Sequence, residues 1–181
     1  MSGEQIVQNC SPTLAGIKTG NLFSYEYSSK IEIYNDVCEF NNLMKAKGIQ
    51  MIPLKFTNKR VLLYVFRPDK LKEDLKLNSV KNILTEYGYS DFKIYKCLNV
   101  LKKRLETLDE FPHEIGLFLS YPPEDVQGFI NNTGNNYKLA GLWKVYGDAN
   151  KAKDTFAKYK KCTQKYCCLL NEGFTVFDLA V

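Results

Sequence analysis

The chain has 181 residues, a length that suits one domain with its own hydrophobic core. Hydrophobic residues make up 45% of the sequence and charged residues 25%, which excludes the disordered, collagenous and membrane-spanning classes. The net charge of +5 arises from 25 basic residues set among 20 acidic ones, so nucleic-acid binding is not favoured.

The sequence predicts a cytoplasmic protein that does not contact a membrane. No apolar run approaches the roughly 20 residues needed to cross a bilayer. The first ten residues lack the basic and apolar regions of a signal peptide. The six cysteines are mostly far apart, and a chain of this length folds without disulfides, so we expect reduced thiols.

The N-terminal segment predicts a short helix followed by an extended stretch. Residues 3–10 have a helical pattern, Ser11-Pro12 suits the start of a second helix, and Gly16 suits its end. Residues 17–27 are then expected to be extended.

A helix and a hairpin are the clearest predicted elements. Between Ser29 and Gly48, apolar residues recur at helical intervals, and the serine has capping-box spacing. Residues 49–56 and 60–66 are apolar runs separated by three polar residues, which is the length of a hairpin turn. We therefore expect an antiparallel pair.

Two helices are expected next, over residues 80–87 and 91–108. The second has an apolar stripe that is typical of a helix packed on a core. Arg104 lies off that stripe and is assigned to the solvent face. Residues 115–121 then predict a strand.

The C-terminal third predicts two helices and two strands. Residues 122–125 suit a helix start, and Gly134 suits the end of that helix. Residues 139–146 predict a strand, residues 148–170 a lysine-rich helix capped by its first residue, and residues 174–179 a closing strand.

These elements together predict the α/β or α+β class. Strands and helices alternate loosely, but the hairpin interrupts a pure βαβ rhythm. We expect a single domain over residues 1–181, with one mixed sheet of about six strands and helices packed on its faces. A doubly wound parallel sheet is the alternative.

Several segments resemble a known family. They are CSPTLAGIK at residues 10–18, NLFS at 21–24, FPHEIGLFL at 111–119, YPPEDV at 121–126 and GLWKVY at 141–146. They resemble the DUF3793 family, small proteins of anaerobic Gram-positive bacteria that share a domain of unknown function. The resemblance implies a bacterial, anaerobic, cytoplasmic setting, and it assigns no catalytic residues.

Cys10 is the first candidate catalytic residue. A thiol just before a helix that starts at Ser11-Pro12 is close to the positive end of the helix dipole, which lowers its pKa. Ser11, Thr13 and Lys18 add two hydroxyls and a cation, a set that suits binding of a phosphate or carboxylate. The alternative is a helix cap beside a buried, inert thiol.

His113 is the second candidate, because it is the only histidine and its ordinary pKa lies near neutrality. If it meets Cys10, it serves as general base to that nucleophile, and Glu114 or a nearby amide serves as orienter. The alternative is a hydrogen bond from His113 to a loop. Arg67, at a strand end, is a candidate anion ligand or, alternatively, a surface partner of Asp69.

Aromatic residues in and before the strand predicted at residues 139–146 form the third candidate site. Tyr121, Trp143 and Tyr146, with Lys144, are candidate ligand-binding residues. In a strand, Trp143 shares a face with Gly141, while Lys144 and Tyr146 take the other face. The glycine then leaves room for a flat ligand, and ordinary core packing is the alternative.

Two functions stay open at the level of sequence. The first is a protein or enzyme that binds a small molecule, an anionic metabolite or cofactor, through the Cys/His site. No metal-ligand spacing occurs, no cofactor is identified, and the common nucleotide-binding and hydrolase motifs are missing. The second is a noncatalytic adaptor that docks an acidic protein through a lysine-rich helix. The lysines of that helix are Lys151, Lys153, Lys158, Lys160, Lys161 and Lys165.

Overall fold

The computed structural model describes residues 1–108 and 110–181. The chain divides into two compact units, Met1–Leu71 with Lys161–Val181, and Lys72–Lys160. The prediction of a single domain stays a prediction. Two 3-10 helices lie at Lys45–Lys47 and His113–Leu119. The α-helices and strands, in chain order, are α1 (Gly3–Leu14), β1 (Gly20–Glu26), α2 (Lys30–Met44), β2 (Gln50–Phe56), β3 (Arg60–Phe66), α3 (Pro68–Asp74), α4 (Asn78–Glu86), α5 (Ile94–Thr107), α6 (Pro123–Asn131), β4 (Leu139–Ala140), β5 (Lys144–Val145), α7 (Ala149–Asn171) and α8 (Val176–Leu179).

The first unit contains a three-stranded antiparallel sheet in the order β1-β3-β2. The predicted hairpin is confirmed, and the amide of Thr57 donates to the carbonyl of Arg60 at 2.8 Å across its turn. The sheet order makes β2 an edge strand, where the missing N–H of Pro53 is tolerated, and the pairing register shifts between Pro53 and Lys55. Strand β1 lies in the segment that was expected to be extended.

The core of the first unit lies around β3, the central strand. Val61, Leu63 and Val65 are fully buried together with residues of α1 and α2. On the alternate positions, Tyr64 and Phe66 stack with ring centroids 4.7 Å apart, and both are buried. Because side chains of a strand alternate between faces, β3 is buried on both of them.

The N-terminal helix differs from its prediction, because α1 runs without a break through Ser11 and Pro12. A capping box formed by Ser2 and Gln5 begins it, so no second helix start occurs. Pro12 lies in the last turn. Gly16 ends the helix as predicted, with φ at +65°, a conformation that glycine adopts without strain.

The second unit is mainly helical. The predicted apolar stripe of α5 is confirmed at Leu98, Leu101 and Leu105, which are buried, whereas Leu108 at its end is 39% exposed. The predicted helix start near residue 122 is also confirmed by α6. At the start of α7, the Asp148 carboxylate accepts from the amides of Asn150 and Lys151, as its predicted role as a cap requires.

Three strand predictions are wrong. Residues 115–121 belong to the 3-10 helix and its end, and residues 114–119 are all buried. A short apolar run that is buried all round has the same pattern in a helix as in a strand, so periodicity cannot separate the two. Residues 174–179 form α8, which a capping box of Thr175 and Asp178 begins. Residues 139–146 hold only the two-residue strands β4 and β5.

The mixed helix and strand content is confirmed, whereas the single sheet of about six strands is wrong. The described residues form one sheet of three strands and one of two, and both are antiparallel. These features favour the α+β class over α/β. Within the same residues, no helix combines the length and the apolar character that crossing a membrane requires.

Candidate ligand-binding site

The second unit contains an apolar hollow of about 360 Å³ that gathers four of the predicted site residues. They are His113, Tyr121, Trp143 and Lys144, which come from three separate segments of the chain. We call this space the aromatic hollow. Its volume lies within the range of small-molecule pockets. Its remaining lining residues are Phe111, Ile115, Gly116, Asp125, Val126, Phe129, Ala140 and Gly141.

Aromatic rings form the walls of the aromatic hollow. Tyr121 and Trp143 stack with centroids 4.7 Å apart, and His113 lies 4.7 Å from the ring of Phe129. Phe111 lines the same space and is 50% exposed. An exposed phenyl ring beside an apolar hollow offers surface that a ligand can bury.

Asp125 fixes the position of Trp143, which lines the aromatic hollow. One carboxylate oxygen accepts from the indole Nε1 of Trp143 at 2.7 Å. The other oxygen accepts from the amides of Tyr146 and Gly147, both at 2.7 Å. A buried carboxylate needs such donors. Three donors therefore satisfy Asp125, and they orient Trp143 and the end of the β4–β5 hairpin.

Lys144 brings a positive charge to the aromatic hollow. Its Nζ donates to the carbonyl of Gly134 at 2.7 Å and lies 5.6 Å and 5.0 Å from the ring centroids of Phe129 and Tyr137. No described carboxylate lies within ion-pair distance of this ammonium. Because an ammonium has three N–H donors, Lys144 can bind a further acceptor.

Glu114 does not orient His113, although the two are adjacent in sequence. Its Oε1 accepts from Arg104 Nε at 2.5 Å and from the Tyr89 hydroxyl at 3.2 Å. No hydrogen bond joins the His113 side chain to another described residue. The orienting role predicted for Glu114 therefore has no support in this geometry. The solvent-face assignment of Arg104 is wrong, because its side chain is 22% exposed and pairs with a buried acid.

Cys10 and Lys18 lie in the first unit, and Cys10 is inside α1 rather than at a helix start. Burial raises the pKa of the Cys10 thiol well above its ordinary value, and the charge of Lys18 offsets only part of that change. The predicted lowering of this pKa is therefore wrong. Burial also lowers the pKa of Lys18 to about 8. The meeting of Cys10 with His113 stays a prediction.

The other predicted anion ligands of the first unit are engaged within the protein. Ser11 Oγ donates to the carbonyl of Val7, and Thr13 Oγ1 donates to Asn21 Oδ1 at 2.7 Å. Arg67 donates to main-chain oxygens from Nε, Nη1 and Nη2, so its guanidinium links separate segments of the backbone in the first unit. These contacts occupy most of the donors that the two hydroxyl groups and the guanidinium would offer to an anion. The carbonyl acceptors of Arg67 belong to Thr13, Leu14, Lys47 and Val181.

Two predictions about the aromatic segment need correction. Gly141 does not leave room for a ligand, because a Cβ there would lie 2.1 Å from the ring of Phe156. Tyr146 lies against Gly128 and does not line the aromatic hollow. The expected alternation of faces fails because β4 and β5 are short and a turn separates them.

Sequence reasoning missed Phe111, Phe129, Arg104 and Asp125. The sequence pattern indicates only a helix start for residues 122–125 and only a place on the solvent face for Arg104. Their actual partners lie 18 and 10 residues away in the chain. One local signal pointed to Phe111, because it is the first residue of the segment at 111–119 that also contains the candidate His113.

A comparison with protein families gives one match. The family described as "Protein of unknown function (DUF3793)" matches residues 6–180, nearly the whole chain. The chain belongs to the DUF3793 family. The resemblance seen in the sequence is thereby confirmed, and the aromatic hollow of this DUF3793 protein lies within the matched range. Comparisons with curated proteins and with solved structures find no match.

Metal binding has no support from the described part of this DUF3793 chain. No group of three or more histidine, cysteine, aspartate or glutamate side chains is arranged there to hold a metal ion. The aromatic hollow instead offers rings, one ammonium group and one imidazole.

Proposed function

We propose that this DUF3793 protein binds a small, flat molecule with an anionic group in the aromatic hollow. The observation that carries the proposal is the joint placement of the Tyr121–Trp143 stack, the exposed Phe111 ring and the Lys144 ammonium around about 360 Å³. Aromatic walls with a few polar groups are typical of ligand sites. The rings supply apolar contact with the flat part of the ligand, and Lys144 orients the ligand by binding its anionic group.

The charge of the aromatic hollow supports an anionic ligand. Asp125 also lines it, but three protein donors already occupy the two oxygens of that carboxylate. Lys144 is held by one carbonyl and by aromatic rings, with no carboxylate partner in the described chain. A charge-assisted hydrogen bond to this ammonium is therefore the strongest polar contact that the site offers.

The test uses 2-naphthoate, a flat aromatic carboxylate, titrated into the protein by calorimetry. We expect saturable binding at one site, and we expect Lys144→Met to weaken it about tenfold, the effect of one charge-assisted hydrogen bond. The change keeps the length of the apolar side chain and removes the charge. Neutral 2-naphthalenemethanol should bind the wild-type protein and Lys144→Met equally well.

Lys138→Met is the matched control. Lys138 Nζ also donates to a backbone carbonyl, that of Gly147 at 2.8 Å, but it does not line the aromatic hollow. The control variant should keep the affinity of the wild-type protein for 2-naphthoate. Absence of binding, or equal losses in the two variants, would contradict the proposal.

Catalysis is a separate proposal with less support. It requires Cys10 as nucleophile and His113 as general base, and no described cysteine lines the aromatic hollow. Burial of the Cys10 thiol disfavours its reactive thiolate form. The cytoplasmic, anaerobic bacterial setting remains a prediction that rests on the family resemblance.

The adaptor function remains the second candidate, because all six lysines singled out on α7 are exposed. A helix with an excess of exposed positive charge can attract an acidic protein partner, and such binding weakens steeply as salt rises. Binding of a small anion in the aromatic hollow has no need of these side chains, so their removal separates the two functions.

A further inference from the structure

Glu114 is a buried acid, and one of its carboxylate oxygens has no hydrogen-bond partner among the described residues. The residue has no exposed surface, and its Oε1 carries both of its hydrogen bonds, from Arg104 and Tyr89. Its Oε2 is buried and has no hydrogen-bond partner among the described residues. Burying an unpaired carboxylate oxygen is costly, so proteins rarely keep one without a use for it.

Glu114 lines a second cavity, of about 850 Å³, next to the aromatic hollow. We call it the acid cavity. Phe111, His113 and Phe129 line both spaces, so one layer of rings belongs to the two cavities. A ligand that spans both spaces passes Phe111 and His113, whose side chains are exposed. The remaining lining residues of the acid cavity are Tyr87, Arg104, Leu108, Glu110, Pro112, Ile130 and Thr133.

The charges of the acid cavity favour a cationic group over an anionic one. Its described lining has two carboxylates, Glu110 and Glu114, and one permanent cation, Arg104. The guanidinium of Arg104 already pairs with Glu114 and lies 4.9 Å from the ring of Tyr87. The excess charge is negative, and the acceptor without a partner is Glu114 Oε2.

We propose that the ligand of the aromatic hollow carries an amine that binds Glu114 Oε2 in the acid cavity. This inference rests on the proposed function and narrows its ligand to an aromatic amino carboxylate. The carboxylate binds Lys144, the ring packs on Phe111 and Phe129, and the protonated amine binds Glu114. Because Oε2 is buried, contact with the amine requires a shift of the side chains around Glu114, while Oε1 keeps its bonds to Arg104 and Tyr89.

The experiment compares 2-naphthoate with two derivatives that differ at ring position 6. They are 6-(aminomethyl)-2-naphthoate, which is cationic there, and 6-ethyl-2-naphthoate, which has nearly the same shape and no charge. We expect the wild-type protein to bind the aminomethyl compound at least about tenfold more tightly than the ethyl compound, the effect of one charged hydrogen bond. Equal affinities would overturn the inference.

Two variants identify the acceptor. Glu114→Gln keeps the size of the side chain but removes its charge, so the aminomethyl preference should disappear while 2-naphthoate binds as before. Glu110→Gln removes an exposed carboxylate from the same cavity and should keep most of the preference. Equal losses in both variants would assign the effect to general charge and overturn the role of Glu114.

The comparison of ligands on the wild-type protein does not depend on the folding of either variant. If 2-naphthoate binds and the aminomethyl group adds no affinity, the inference fails and the proposed function stands. If none of the three compounds binds, both fail.

Discussion

Buried charged side chains in this protein are stabilised in different ways. Asp125 is satisfied by three donors, and Glu114 shares one oxygen between Arg104 and Tyr89. Lys18 is 8% exposed, and burial lowers its pKa to about 8. Removal from water disfavours the charged form of a lysine, so this residue makes the stability of the fold depend on pH.

Stability should rise with pH because of Lys18. Its pKa is about 8 in the folded protein and 10.5 in an unfolded chain, so between these values the unfolded state binds the extra proton. In that window the free energy of unfolding rises with pH, and the contribution is lost as pH falls through the folded pKa. From pH 7 to 9.5, we expect the wild type to gain about 2 kcal/mol relative to Lys18→Met.

Denaturant titrations of both proteins at several pH values measure this difference. The comparison cancels the opposite trend from Cys10, whose raised pKa makes the fold less stable at high pH. A difference that stays constant from pH 7 to 9.5 would show that Lys18 keeps an ordinary pKa.

Arg67 joins several elements of the first unit. It follows β3 directly and donates to the last two carbonyls of α1, from Thr13 and Leu14, at 2.7 Å each. It also donates to Lys47 in a 3-10 helix and to Val181. A cation at a helix C-terminus satisfies carbonyls that have no partner within the helix and interacts favourably with the helix dipole.

Arg67→Met should destabilise the protein by about 3 kcal/mol, because four backbone carbonyls lose charged donors. Arg60→Met, at the other end of β3, is the matched control. Arg60 pairs with exposed Glu26, and exposed pairs contribute about 0–1 kcal/mol. Thermal or urea unfolding measures both changes. A smaller loss for Arg67→Met than for Arg60→Met would contradict the joining role, and 2-naphthoate should still bind both variants.

At the scale of the molecule, the two units have different kinds of interior. The first is built around a sheet whose central strand is paired on both edges and covered on both faces. The second is built from helices and has only the two-residue strands β4 and β5. Slow amide exchange requires the opening of buried, hydrogen-bonded structure, so the two sheets should behave differently.

Amide exchange should be slowest in β3 and fast in the β4–β5 hairpin. Leu63, Tyr64 and Val65 have no exposed surface, whereas the hairpin is a short ladder with exposed residues at its turn. Hydrogen–deuterium exchange followed by mass spectrometry compares the two segments directly. Equal protection in both would contradict the prediction that β3 opens less readily than the β4–β5 hairpin.

Local patterns were enough to predict several elements. Periodic apolar residues and caps predicted α2, α5 and α7, and two apolar runs around a polar turn predicted the hairpin of β2 and β3. Caps and turn residues act over a few positions in the chain, because one helical turn or one hairpin turn spans only a few residues. The sequence also identified four residues of the aromatic hollow as candidates by their chemical type, but it did not predict that they lie together.

The sequence by itself determined the family, the mixed content of helix and strand and the candidate residue types. Only the tertiary structure decided that residues 113–119 are helical, that Arg104 pairs with Glu114, and that Asp125 holds Trp143. The physical reason is the range of the interactions. Periodicity and capping act along the chain, whereas burial, ion pairing and the shape of a cavity arise from residues that only folding brings together.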